Sequence, residues 1–297
     1  MKIFDFYKKE KTPLVLALGF FDSIHIGHCE IIKRCQSLAK SLSATDCVFT
    51  FKNDISSVVS KSKGLVFTYE ERLKKLEKLQ VKSIISTSFT NEFSKIESLD
   101  FLKTITDNFN VLAVVCGEDY TFGKGGKGRV NDLKDFCSKR GIKFEIVKQI
   151  EIKGQKISTS LIKEELSLGR IESANELLGS PYFITGEVIK DRQVGRCLGF
   201  PTANIPLNAQ KLPLKLGVYH TLVELDGVKY DCITNFGARP TFGLNDVLTE
   251  TYIDGFNGDL YGKSITVNFK RFLRDLIKFN SAEELKAQLK KDLGTIR

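Results

Sequence analysis

Strand-like and helix-like patterns alternate along the first half of the chain, and this restricts the fold more than any other feature. Residues 14–19 form an apolar run, and residues 29–42 place Ile31, Ile32, Cys35, Leu38, Ala39 and Leu42 on one helical face. Residues 48–51 read as a second strand and 69–79 as an amphipathic helix. Strands over 81–86, 111–116 and 143–147 alternate with helical stretches over 99–108 and 131–140. That order implies a parallel sheet covered on both faces.

The alternation stops near residue 180. Two short helices, over 159–168 and 171–178, lead to Gly179-Ser180-Pro181, a natural boundary. Short strand-like runs follow over 182–189, 217–225, 229–234, 248–253 and 264–269. Asp226-Gly227 between two of them is a hairpin signal. The expectation is a small antiparallel β-barrel, closed by a helix that opens on Ser281-Ala282-Glu283-Glu284, a capping box. The chain is therefore α/β plus β: a Rossmann-like domain over 1–179 and a barrel domain over 180–297.

Composition narrows the classes. With 297 residues, two domains are expected. The longest apolar run, residues 14–21, is too short to span a bilayer. Asp5 and Glu10 dilute the basic start, and no small-residue cleavage site follows. A cytoplasmic protein with no membrane partner is expected. Seven scattered cysteines without a Cys-x-x-Cys pair, and three histidines, disfavour a zinc ribbon or disulfide framework. The net charge of +9 favours anionic partners, phosphates among them. Much of it lies on helix faces (Lys74, Lys75 and Lys78; Lys286, Lys290 and Lys291), where solvated charge is the more common meaning.

His25-Ile26-Gly27-His28 falls between the first strand and the first helix. A helix N-terminus presents free N–H groups and partial positive charge to a polyphosphate. Imidazoles there can donate to phosphate oxygens as charge builds in a transition state, and Gly27 lets the backbone pass close to a nucleotide. Lys124-Gly125-Gly126-Lys127-Gly128-Arg129 does not fit the phosphate-loop pattern and reads as a mobile basic loop. Around Ile157-Ser158-Thr159-Ser160, hydroxyls at a helix start suit either phosphate binding or N-capping. In Gly195-Arg196-Cys197-Leu198-Gly199-Phe200-Pro201-Thr202-Ala203-Asn204, glycines allow close phosphate approach, and Thr202 and Asn204 offer oxygen ligands to Mg²⁺.

His-x-Gly-His after a first strand resembles the signature of nucleotidyltransferases and class I aminoacyl-tRNA synthetases. The synthetase alternative lacks a Lys-Met-Ser-Lys-Ser motif, since the only methionine is Met1. The longer string Leu18-Gly19-Phe20-Phe21-Asp22-Ser23-Ile24-His25-Ile26-Gly27-His28 is similar to the opening motif of the bacterial bifunctional riboflavin kinase/FAD synthetase family. Phe49-Thr50-Phe51, Thr68-Tyr69-Glu70-Glu71-Arg72 and Cys116-Gly117-Glu118-Asp119-Tyr120-Thr121-Phe122-Gly123 follow in that family's order. The resemblance implies that His25 and His28 are catalytic and that Gly19, Phe20, Gly27, Asp119, Ser158, Thr159 and Lys163 bind nucleotide. Asp119 would also face the flavin. Lys163 stands where the family has arginine, and Lys52-Asn53-Asp54 where it has Pro-His-Pro.

The second signature resembles that of riboflavin kinases. It implies nucleotide contacts at Gly195 and Gly199, Mg²⁺ ligation by Thr202 and Asn204, a catalytic base at Glu250 and a flavin contact at Arg274. Asn235-Phe236-Gly237-Ala238-Arg239-Pro240-Thr241-Phe242, Glu250-Thr251-Tyr252, Gly258-Asp259-Leu260-Tyr261-Gly262 and Leu273-Arg274-Asp275 keep that order. The implied partners are riboflavin, FMN, FAD and ATP, with no nucleic acid, in a monomer or weak homo-oligomer. Two rivals remain: a nucleotidyltransferase for another phosphorylated acceptor, and a basic nucleic-acid-binding protein. The latter lacks an evident aromatic recognition motif.

Overall fold

The computed structural model describes residues 1–59, 63–190, 199–238 and 247–297. The chain divides into two compact units, Met1–Thr159 and Ser160–Arg297.

In the first unit, a six-stranded sheet is built from β1 (Lys2–Asp5), β2 (Glu10–Leu18), β3 (Thr45–Phe51), β4 (Ser83–Thr87), β5 (Phe109–Gly117) and β6 (Lys143–Val147). The strand order is β1-β4-β3-β2-β5-β6, with every pairing parallel. The connecting helices are α1 (Ile26–Ser41), the short α2 (Ser56–Val59), α3 (Tyr69–Lys78), α4 (Ser98–Asn108) and α5 (Val130–Lys139). Alternation along β2 shows why both faces need cover. Leu14, Leu16 and Leu18 enter one buried cluster, with Phe101, Ile105 and Leu133 of α4 and α5. Val15 and Ala17 enter another, with Ile32, Cys35 and Leu76 of α1 and α3. Successive strand side chains point to opposite faces, so an all-apolar strand requires two helical layers. Helix α3 starts on a capping box in which the Thr68 hydroxyl accepts from the Glu71 N–H and the Glu71 carboxylate accepts from the Thr68 N–H.

A two-stranded hairpin, β7 (Glu151–Ile152) with β8 (Gln155–Lys156), precedes α6 (Thr159–Ser167) and α7 (Ile171–Leu178). The second compact unit begins at Ser160, ahead of the boundary expected at 179. Asn175 on α7 supplies a physical reason. Its amide donates to the Phe269 carbonyl at 2.9 Å, and its side-chain oxygen accepts the Tyr182 N–H at 2.6 Å, tying α7 to the sheet that follows.

That sheet contains β9 (Tyr182–Glu187), β10 (Thr202–Pro206), β11 (Gly217–Leu225), β12 (Val228–Ala238), β13 (Val247–Ile253) and β14 (Ser264–Arg274). Its order is β10-β13-β12-β11-β14-β9, wholly antiparallel. The edges meet where the Ile189 N–H donates to the Asn204 carbonyl at 2.9 Å, so the sheet curls into the expected barrel. Asp226 and Gly227 form the two-residue β11–β12 turn with φ of 50° and 81°, the type I′ pattern. The closing helix is α8 (Ala282–Gly294), whose Leu293 packs with Phe200, Val218 and Ile233. Its capping box is half formed. The Ser281 hydroxyl accepts from the Glu284 N–H, but the Glu284 carboxylate takes the Asn280 N–H instead of closing back on Ser281.

Two candidate active sites

Strand order locates the first site. The chain winds from β2 through β3 to β4 on one side and from β5 to β6 on the other, so β2 and β5 are neighbours whose connections leave in opposite directions. Such a switch point opens a crevice at the carboxyl ends of the strands. A cavity of about 660 Å³ lies there, within the range of small-molecule sites. Gly19, Phe20, His25, Gly27, His28, Asp119, Ser158 and Thr159 all line it. Of the expected residues on this side, Lys163 alone is not among the lining residues; it sits half-buried on α6.

His25 caps α1. Its Nδ1 accepts the His28 N–H at 3.1 Å, and the two rings stack at 3.7 Å and 9°. An Nδ1 that accepts leaves the neutral ring's proton on Nε2, so His25 presents one N–H donor. Burial lowers the His25 pKa to about 4 and holds that of His28 well below the ordinary value, with the neighbouring His25 adding to the effect on His28. Both imidazoles are neutral near pH 7. Among the described residues, the buried Nδ1 of His28 has no hydrogen-bond partner.

The turn carrying these histidines is strained and held from several sides. Phe21 and Ile24 have φ of 54° and 43°, unusual for a bulky and a β-branched residue, yet both are buried. A Cβ on Gly19 would lie 2.8 Å from the Phe21 ring, so this close approach excludes larger residues. The buried Asp22 carboxylate accepts the Val66 N–H at 2.8 Å, and the Ser23 and Thr159 hydroxyls bridge at 2.9 Å. Arg72 is fully buried and donates to the Phe20 carbonyl at 3.1 Å, the Phe51 carbonyl at 2.7 Å and the Thr50 hydroxyl at 2.6 Å. Burial lowers its pKa to about 10. Sequence reading places Arg72 in a motif without finding this clamp, because its three partners lie on two other segments. Similarly, Asp119 accepts from the Gln149 amide at 3.0 Å, a contact no local pattern announces.

Part of the cavity is aromatic, with Phe20, Phe51, Phe89 and Phe93 in its lining. Lys52-Asn53-Asp54 builds this part rather than leaving it open. The Lys52 N–H donates to the Thr87 carbonyl at 2.9 Å, prolonging the β3–β4 ladder. The Asn53 amide then donates to the Phe89 carbonyl at 2.9 Å while its oxygen accepts the Phe89 N–H at 2.7 Å. Asp54, buried, accepts from the Ser56 N–H and hydroxyl at the start of α2.

The second site is a row across strands. Antiparallel register puts Asn204 of β10 opposite Glu250 of β13, and Glu250 opposite Asn235 of β12. The Asn235 amide donates to Glu250 Oε2 at 3.3 Å, and the Thr202 hydroxyl donates to Asn204 Oδ1 at 3.5 Å. Paired strand residues share a face, so Thr202, Asn204 and Glu250 are brought together although they are distant in sequence. Thr202 and Asn204 also line a cavity of about 420 Å³ with Gly258, Asp259 and Tyr261 of the downstream motif. Gly199 immediately precedes this segment. Gly195 and residues 239–242 lie outside the described residues. Arg274 is engaged elsewhere: its Nη2 lies 2.7 Å from Asp292 Oδ2 and its Nε 3.1 Å from both carboxylate oxygens, clasping α8. No group of three or more histidine, cysteine or acidic residues capable of holding a metal occurs among the described residues.

A switch-point cleft with a histidine turn, joined to an antiparallel unit with its own polar cleft, defines a two-unit nucleotide-using transferase. The family patterns agree with that division: residues 7–161 match FAD synthetase and residues 178–297 match riboflavin kinase. The bifunctional riboflavin kinase/FMN adenylyltransferase of Bacillus subtilis (strain 168) is 34% identical, with 96% of this chain and 92% of the relative covered. That of Listeria monocytogenes is 36% identical, over 94% and 90%. The chain belongs to the bifunctional riboflavin kinase/FMN adenylyltransferase family. A crystal structure described as a macrolide-efflux protein from Streptococcus pneumoniae matches it with a TM-score of 0.89 and 28% identity, covering 100% of this chain and 99% of that one. No helix among the described residues is long and apolar enough to cross a membrane.

Proposed function

We infer that the chain phosphorylates riboflavin with ATP to give FMN, then transfers AMP from a second ATP to FMN, giving FAD and pyrophosphate. The assignment gives riboflavin phosphorylation to residues 180–297 and adenylyl transfer to residues 1–179. The observation that carries it is that residues of each signature line a separate cavity, His25, Gly27, His28 and Asp119 at the β2/β5 switch point and Thr202 and Asn204 beside Glu250.

In the kinase step Glu250 accepts the proton of the riboflavin 5′-hydroxyl as that oxygen attacks the γ-phosphorus and ADP leaves. The Asn235 amide orients the carboxylate. Thr202 and Asn204 present a hydroxyl and an amide oxygen, hard donors that fit Mg²⁺ alongside phosphate oxygens. The metal, when bound, neutralises charge on the phosphates. By the family resemblance Gly195 and Gly199 are assigned to the nucleotide and Arg274 to the flavin.

In the adenylyl step an FMN phosphate oxygen attacks the α-phosphorus of ATP, forming one P–O bond as the bond to pyrophosphate breaks. The neutral His25 and His28 donate hydrogen bonds to the developing charge without first losing a proton, so their depressed pKa values suit the task. Gly19, Phe20 and Gly27 shape the nucleotide side, Ser158 and Thr159 bind phosphate, and Lys163, which does not line the cavity, is assigned to phosphate by the family resemblance alone. Asp119 orients the flavin and nucleotide. Each cavity is lined by residues of one unit, so a monomer or weak homo-oligomer meets the requirements; the reading is of a cytoplasmic enzyme with no nucleic-acid or membrane partner. Purified protein given riboflavin, ATP and Mg²⁺ should yield FMN and then FAD on chromatography. Absence of both under varied metal and redox conditions would reject the assignment.

A further inference from the structure

We propose that Asn53 is a positioning residue that sets affinity for the planar ring of the flavin acceptor by pinning Phe89 into the wall of the adenylyl-transfer cavity. The inference rests on the proposed function of that cavity. Strands β3 and β4 end their pairing at Phe51 and Thr87, and the Lys52 N–H to Thr87 carbonyl bond is the last backbone rung described between these segments. Beyond it, the Asn53 side chain bonds both the N–H and the carbonyl of Phe89, at 2.7 and 2.9 Å. A primary amide offers a donor and an acceptor on one planar group, as a backbone peptide does, so Asn53 extends the ladder by one rung. A loop residue with both backbone groups engaged has little freedom left.

The position of Phe89 matters because it lines the cavity while packing edge-on against Phe51 at 5.1 Å and tilted against Phe93 at 5.8 Å. Those rings also line the cavity, whereas Asn53 does not. Asn53 therefore acts through Phe89. A preformed aromatic wall favours a flat, largely apolar ring through stacking and edge contacts, and it binds more tightly when the wall is ordered beforehand. The histidines, Ser158 and Thr159 belong to the phosphate chemistry, so loosening Phe89 should leave ATP recognition largely intact.

The test is a double-mutant cycle on the full chain with Asn53→Ala, Phe89→Ala and the pair. The KM for FMN and the KM for ATP are measured in FAD synthesis, and the circular dichroism spectrum and urea unfolding curve of the same preparations serve as folding controls. Asn53→Ala should raise the KM for FMN about tenfold, the scale of losing a small number of hydrogen bonds, while the KM for ATP moves less than about twofold. Adding Asn53→Ala to Phe89→Ala should raise the KM for FMN no further, since residues acting through one contact are not additive. Asn53→Asp keeps only the acceptor for the Phe89 N–H; it should raise the KM for FMN above wild type and decides the matter if the alanine variant does not fold. An unmoved KM for FMN, an equal rise in the KM for ATP, or additive effects in the pair would overturn the inference alone. Failure of the unaltered chain to adenylylate FMN would overturn the function of the cavity, and this inference with it.

Discussion

His25 combines two roles that are normally separate, a helix cap and a buried titratable group. Because burial holds its pKa at about 4 rather than the usual 6.5, the folded chain resists protonation that the unfolded chain accepts. Its contribution is fully present above about pH 6.5 and is lost as pH falls toward 4, because the unfolded state then binds more protons. Asn is also a strong N-cap, so His25→Asn keeps the start of α1 and removes the titration. The urea midpoint of the variant should fall less steeply than that of the wild type between pH 7 and 4.5. Parallel curves would contradict a buried neutral His25. At the second site, Thr202→Ala should slow riboflavin phosphorylation partly by weakening binding of Mg²⁺ and ATP, so raised Mg²⁺ and ATP should restore more activity than they do in Glu250→Gln. Equal recovery in the two would remove Thr202 from the metal's ligands.

Among elements, the loop after β5 and helix α8 show how connections become structural parts. Gly123 has φ of 70°, and a Cβ there would fall 2.6 Å from the Cα of Ser98, a backbone atom with little room to yield. Gly123→Ala should destabilise the first unit by about 1–3 kcal/mol, read as a lower urea midpoint, and an unmoved midpoint would refute this packing. Helix α8 depends on a clasp: Asp292 is buried and takes the Arg274 guanidinium in a forked bond as well as the Gln288 amide. Asp292→Ala would leave a largely buried cation without its partner, at a cost of about 3 kcal/mol on the scale of such pairs. Thermal unfolding of the variant checks this, and a loss below about 0.5 kcal/mol would make the clasp incidental. Within the barrel, Thr221, Thr234 and Thr251 are fully buried, and their hydroxyls link across β11, β12 and β13 at 2.6 and 2.9 Å. The chain of hydroxyls satisfies polar groups that would otherwise be costly to bury.

At the scale of the whole molecule, what could be read in advance was what local chemistry encodes. Helix α3 was legible from its amphipathic face, the β11–β12 turn from Asp226-Gly227, and the histidine turn from its place between a strand and a helix. Strand β1 was not, because four edge residues with mostly exposed side chains carry no period. Strand β10 was hidden inside the string that marks the kinase signature, since Thr202-Ala203-Asn204 reads equally as a turn. The site's supports were the least visible. Arg72 reaches carbonyls on β3 and the β2–α1 turn, and Asn53 reaches the loop after β4; both follow from strand order, which no local pattern states. Likewise, Arg274 kept its place in the motif, but its partner, Asp292, lies on the following helix.

The central claim is that two chemistries reside in two separate clefts, and flavin products from His28→Ala and Glu250→Gln test it most directly. Each purified variant is given riboflavin with ATP and Mg²⁺, and separately FMN with ATP and Mg²⁺, and riboflavin, FMN and FAD are separated by chromatography. His28→Ala should accumulate FMN from riboflavin while adenylylation slows about 10²–10³-fold, the cost of losing one transition-state donor. Glu250→Gln should leave riboflavin unconverted, slowed about 10²–10⁴-fold by loss of a general base, yet turn supplied FMN into FAD at the wild-type rate. If both variants lose the same step, or if Glu250→Gln still makes FMN at the wild-type rate, the two-cleft account is wrong.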